Sequence, residues 1–158
     1  MAFLNNLQKN KLKYYLICAG IIVFCFSLDL ISKKIALNLN IAVKNSGSAF
    51  SLFQSKAFTL TILTSIILLG LIIIIIKNKK WFYSIPLSFI IGGGLGNLQE
   101  RFFNPPYFGQ GSVTDFINYF NLFIGNIADI FIVLGGIVFV INCLYVTSGK
   151  GLKSKSSN

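Results

Sequence analysis

Only four residues of this 158-residue chain carry a carboxyl side chain, Asp29, Glu100, Asp115 and Asp129, and the sequence contains no histidine. That scarcity narrows the chemistry. Without histidine there is no serine–histidine or cysteine–histidine nucleophile. The three cysteines, Cys18, Cys25 and Cys143, lie inside apolar stretches without metal-ligand spacing, so they read as small buried hydrophobes and no metal or cofactor is expected. Two carboxyls that meet can hydrolyse a peptide bond unaided, because one can ionise while the other keeps its proton. Asp115 and Asp129 suit this role, since the excursion between them can fold back and bring the carboxyls together. The plainer reading of Asp129 alone is a charge in the first turn of a helix, where the dipole welcomes an anion. A serine–lysine pair is the other catalytic option, using Ser46 or Ser48 near Lys44, or Ser32 beside Lys33.

The elements that would position these groups belong in a membrane. The chain is 54% hydrophobic and 11% charged, and a bilayer core asks for roughly 20 apolar residues per helix. Four stretches answer, Tyr14 to Leu30, Ala57 to Ile76, Trp81 to Leu98 and Ile127 to Val146. All four acids fall at or beyond the same ends of these spans. A carboxylate at membrane depth is costly enough to be a functional candidate by default. The fold class expected is an all-α integral membrane protein of four transmembrane helices with a small extracytoplasmic β-containing platform. Residues 1–158 form one membrane-embedded domain, with 1–13 and 147–158 as polar cytoplasmic tails.

The formal net charge of +10 does not point to nucleic acid, because the lysines cluster at span ends. One side collects Lys9, Lys11, Lys13, Lys77, Lys79, Lys80, Lys150, Lys153 and Lys155, against Lys33, Lys34, Lys44, Lys56 and Arg101 on the other. The positive-inside rule therefore places both termini in the cytoplasm, and Tyr14, Tyr15, Trp81, Tyr83 and Tyr145 form an aromatic belt on that side. The first span has a basic start but no small-residue cleavage site after it, so it reads as a retained anchor.

The turn Lys77 to Lys80 makes the second and third spans antiparallel neighbours. Residues 31–56 and 99–126 are longer and rich in aromatics and short alternating runs, and are expected to fold over the outer ends of the helices. The run Gly92, Gly93, Gly94 and Gly96 lies inside an apolar span with no following Lys-Ser/Thr, so close helix packing explains it better than a phosphate loop. Arg101 is the single arginine beside thirteen lysines, which suggests that its planar fork is needed.

Five motifs in order resemble the lipoprotein signal peptidases, the signal peptidase II family. Asp29 with Lys33 resembles the family's Asp-x-x-Ser/Thr-Lys, and Asn45-Ser46-Gly47-Ser48-Ala49-Phe50 its Asn-x-Gly-x-Ala-Phe box. Gly92-Gly93, Gly96-Asn97 and Arg101 are similar to Gly-Gly-x-x-Gly-Asn-x-x-Asp-Arg, Val113-Thr114-Asp115-Phe116 to Val-x-Asp-Phe, and Asn126-Ile127-Ala128-Asp129 to Asn-x-Ala-Asp. Glu100 stands where an aspartate is usual, Gly125 where a phenylalanine commonly precedes the asparagine, and the stretch from Asp115 to Asp129 is shorter than in many members.

The resemblance implies an enzyme of the bacterial inner membrane with its active site towards the outer face. It would cut signal peptides from diacylglyceryl-modified prolipoproteins before the lipidated cysteine, with membrane lipid as its other partner and no cofactor. It implies Asp115 and Asp129 as the catalytic pair, and Asn45, Gly47, Asn97, Arg101 and Asn126 as residues lining or supporting the site. Asp29 and Lys33 would be structural or substrate-side. A small outer β-platform and a mobile outer segment over the site, also implied by the resemblance, would correspond to residues 31–56 and 102–114. The competing readings are a divergent non-catalytic paralogue and a small ion-coupled transporter, which would need Asp29 or Asp129 nearer the bilayer midplane.

Overall fold

The structure is a computed structural model that describes residues 2–46, 57–107 and 109–155, with side chains from residue 10 to residue 148. Gly47, Ser48, Ala49 and Phe50 of the Asn45 box lie outside the described residues. Four helices dominate: α1 (Ala2–Asn38), α2 (Ala57–Asn78), α3 (Trp81–Phe103) and α4 (Ile127–Lys155). The chain is a multi-pass membrane protein. Three of the helices are long and apolar enough to cross a membrane, over Asn10–Asn38, Ala57–Asn78 and Ile127–Ser148.

The third helix, α3, is less apolar for a structural reason. It is the centre of the bundle, packed against α1, α2 and α4, so its polar and small residues face protein instead of lipid. Ser84, Ser88, Gly92, Gly93, Gly94 and Gly96 are all buried. Added side-chain carbons at the glycines would collide with each neighbour in turn. At Gly92 the carbon would meet Cys25 of α1 at 2.6 Å, at Gly93 the Ala128 carbonyl of α4 at 2.5 Å, and at Gly94 Leu68 of α2 at 2.6 Å. The glycine run is thus where three helices close on a fourth, as close packing of small residues requires.

The lysine-rich end is tied separately. The Tyr14 hydroxyl donates to the Ile75 carbonyl at 2.9 Å and bonds the Ser84 hydroxyl, while the Trp81 ring meets Tyr14 edge-on at 4.9 Å. Those contacts join α1, α2 and α3.

Two of the helices run further than the apolar spans of the sequence. The tails are helical: α1 begins at Ala2 and α4 runs to Lys155, because residues 2–13 contain neither proline nor glycine to stop a helix. Past Asp29 and Lys33, α1 continues to Asn38. Both are buried in the bundle, Lys33 only 3% exposed, so Lys33 is no topological marker.

At the other end the connections form two antiparallel ribbons. β1 (Val43–Asn45) pairs with β2 (Val113–Asp115), and β3 (Ile117–Tyr119) with β4 (Phe123–Gly125). In the first, Val43 faces Asp115 and Lys44 faces Thr114. The second is closed at its base by the Phe116 N–H donating to the Gly125 carbonyl at 2.8 Å. This hairpin is the fold-back between Asp115 and Asp129.

Candidate active site

Asp115 ends β2 and Asp129 lies in the first turn of α4, and both line one cavity of about 220 Å³. Asn45, Asn97, Arg101 and Asn126 line it too, with Leu60 of α2, Ile124 of β4 and Ile132 of α4 as its apolar side. Alternation along β2 explains the aim of Asp115. Val113 and Asp115 face the cavity while Thr114 turns the opposite way, towards α3.

Asn126 caps α4 and joins the two carboxyls. Its Oδ1 accepts the Asp129 backbone N–H at 3.2 Å, and its own backbone N–H donates to Asp129 Oδ2 at 2.9 Å, a reciprocal capping box. Its side-chain amide remains free to donate to Asp115 Oδ1 at 2.7 Å and to Asn97 Oδ1 at 3.0 Å. Asn97 in turn donates to Asp129 Oδ1 at 3.0 Å, and Asn45 donates to Asp115 Oδ2 at 2.8 Å. Every oxygen of both carboxylates therefore has an amide donor. Asn45 reaches Asp115 because the register places it diagonally across the ribbon, on the same face.

Behind the cavity is a buried charge network. Lys33 bonds Asp29 at 2.7 Å, Glu100 at 3.0 Å and Asn97 Oδ1 at 2.9 Å. Asp29 also accepts the Ala128 backbone N–H at 2.9 Å, so it caps α4 from α1. Glu100 accepts the Thr114 backbone N–H at 2.8 Å, the Thr114 hydroxyl at 2.5 Å and the Asn104 amide at 3.1 Å. Lys44, half-exposed, donates to the same Thr114 hydroxyl at 2.7 Å. One ammonium thus reaches Asp129 through Asn97, and the strand of Asp115 through Glu100 and Thr114.

Sequence reading underrated Glu100 and missed Thr114. Glu100 was legible only as a departure from a motif, although its being one of four acids was a signal. Thr114 had none, because its role depends on the register of β2 against α3. Of the serine–lysine candidates, Ser32 donates to the Asp29 carbonyl at 2.8 Å, Lys33 pairs with Asp29 and Lys44 donates to Thr114, while Ser48 lies outside the described residues. Arg101 is buried and lines the cavity with both aspartates.

Burial pushes the Asp115 carboxyl above the usual carboxylate range. The bonds from Asn45 and Asn126 oppose that shift, the charge of Asp129 adds to it, and Lys33 opposes it. Tyr119 of the hairpin is likewise raised, by burial and then by the charges of Asp129 and Asp115. An arrangement of this kind can hold a water between a proton-accepting and a proton-donating carboxyl.

The chain is similar to known proteins in sequence and fold. The family profile described as signal peptidase (SPase) II matches residues 21–145. A lipoprotein signal peptidase of Streptomyces griseus subsp. griseus is 40% identical over 104 residues, covering 63% of this chain and 51% of that protein. Another, of Clostridium novyi, is 39% identical over 106 residues, covering 63% of this chain and 68% of that protein. The chain thus spans about half the length of the Streptomyces relative. A solved structure of a bacterial membrane enzyme, obtained by the in meso method at 2.3 Å resolution, superposes with a TM-score of 0.73 at 27% identity, covering 85% of this chain and 91% of that one.

Proposed function

The chain belongs to the signal peptidase II family, and we propose that it is an aspartic endopeptidase that removes signal peptides from diacylglyceryl-modified prolipoproteins, before the lipidated cysteine. The observation that carries this reading is that Asp115 and Asp129 line one cavity and are linked through Asn126 and Asn97. The relatives are lipoprotein signal peptidases, which supports the substrate class.

In this mechanism the two carboxyls share one proton, with Asp115 as the proton donor and Asp129 as the proton acceptor. Charge balance supports one shared proton: the four carboxylates face Lys33, Lys44 and Arg101, so a single protonated carboxyl leaves the site neutral. Burial favours placing it on Asp115. Asp129 takes a proton from water as the water oxygen attacks the scissile carbonyl carbon. Asp115 donates its hydrogen bond to the carbonyl oxygen and stabilises the tetrahedral intermediate. The C–N bond then breaks as a proton passes to the leaving amine, with no covalent enzyme intermediate. General acid–base catalysis of this kind is worth roughly 10²- to 10⁴-fold in rate. Asn45, Asn97 and Asn126 orient the pair, Arg101 organises the cavity wall, and Asp29 with Lys33 hold the scaffold beneath it. Gly47 is assigned to the site by its motif alone.

We place both termini in the cytoplasm and the site at the outer face of the bacterial cytoplasmic membrane, from the lysine-rich end of the bundle. Reporter fusions after Asn40, Lys79, Gln110 and Lys155 test this, and a cytoplasmic signal at Asn40 or Gln110 contradicts it. For the activity, the full chain in lipid vesicles is given a diacylglyceryl-modified precursor and the same precursor unmodified. Release of the signal peptide from the modified form is expected. Cleavage of neither, by inserted protein, contradicts the reading. An ion-coupled role for Asp29 is disfavoured by its pairing with Lys33 at 2.7 Å.

A further inference from the structure

The hairpin between the two aspartates carries a tip that the catalytic reading does not use. Residues 116–125, Phe-Ile-Asn-Tyr-Phe-Asn-Leu-Phe-Ile-Gly, contain no charged side chain. At the turn Phe120 is 95% exposed and Leu122 75% exposed. Phe120 also has a φ of 53° and Asn121 a φ of 61°, the left-handed region that suits asparagine or glycine and strains a bulky residue. The turn itself is well made. Leu122 N–H donates to the Tyr119 carbonyl at 2.9 Å, and Asn118 and Asn121 bond each other through side chains at 2.7 Å. Phe120 therefore bears two costs at once, a strained backbone and a ring exposed to whatever surrounds it, in a turn where an asparagine would bear less of both.

A lipid surface removes the larger of these costs. The hairpin runs within two residues into α4, one of the membrane-crossing helices, so its base is already at the end of a span. We propose that Phe120 and Leu122 insert into the headgroup–acyl boundary of the lipid on the side that holds the cavity. The insertion anchors the hairpin whose two ends carry Asp115 and the Asn126 cap. This rests on the membrane-spanning fold and not on the peptidase reading.

The test uses fluorescence and no activity. Trp81 is the single tryptophan, so Phe120→Trp in a Trp81→Phe background reports on the tip alone, with Leu122→Trp as a second probe should the first variant fail to insert. Both are reconstituted in phosphatidylcholine vesicles with and without brominated acyl chains. Blue-shifted emission quenched by the brominated lipid is expected, and adding Phe120→Asn to the Leu122→Trp protein should weaken that quenching. Emission quenched by aqueous iodide and not by brominated lipid would overturn the proposal. So would lipid quenching that appears only after a lipidated precursor is added, which would assign the tip to the substrate, and so would Leu122→Trp quenching unchanged by Phe120→Asn.

Discussion

Asn126 and Asp129 bond each other twice, backbone N–H to Oδ2 at 2.9 Å and Oδ1 from backbone N–H at 3.2 Å. This fixes Asn126 so that its side-chain amide points at Asp115, 2.7 Å away. One residue thereby serves helix capping and the geometry of the pair.

Asn126→Ala removes both services. Loss of the cap is expected to cost about 1 kcal/mol of stability, and loss of a donor to a carboxylate about 1.5–3 kcal/mol, or roughly 10- to 160-fold in turnover. Asn126→Asp keeps a capping oxygen but no amide donor, so it should recover thermal stability more than activity. Unfolding and cleavage measured on both variants separate the two roles, and parallel recovery of both would contradict the separation.

Lys33→Met should destabilise the fold strongly. Removing one partner of a buried pair typically costs about 3–5 kcal/mol, and here Asp29 and Glu100 would both be left uncompensated. Thermal unfolding in detergent reads this. A change in activity with no loss of stability would instead assign Lys33 to the substrate.

Arg101→Lys retains the charge beside the cavity and loses the planar fork. At least a tenfold fall in turnover is expected, with the helical signal unchanged, whereas full activity would remove the special role of the single arginine.

The pH profile carries a signed expectation. The raised Asp115 carboxyl places the alkaline limb of activity above the range of an ordinary carboxylate. Asn45→Ala removes a bond that favours the charged form, so that limb should move to still higher pH. Linkage gives the matching sign for stability: a folded value above the unfolded one, about 3.9, gives a contribution fully present below that unfolded value. It is lost as pH rises through the folded value. Asp115→Asn should therefore leave stability at pH 7 equal or improved.

Much of this was legible in the sequence for physical reasons that can be named. Apolar runs of membrane length located the helices, and four acids in a chain with no histidine singled out Asp115 and Asp129. The glycine run was read as packing, and the structure places α1, α2 and α4 against it. What the sequence withheld depends on register and depth. The burial of Lys33 was hidden because nothing local shows that α1 continues to Asn38 and turns that ammonium inwards. Glu100 gains its meaning only once β2 lies across α3 and offers it Thr114. The helical ends of α1 and α4 were hidden by polar composition, which does not by itself stop a helix.

The central claim is that Asp115 and Asp129 act together on one water. The direct measurement is cleavage of a diacylglyceryl-modified precursor by Asp115→Asn and Asp129→Asn proteins that are folded and membrane-inserted. Loss of measurable turnover in each is predicted, with helical content kept because apolar helices pack in lipid without either carboxyl. Near-normal cleavage by either folded variant would contradict the pair.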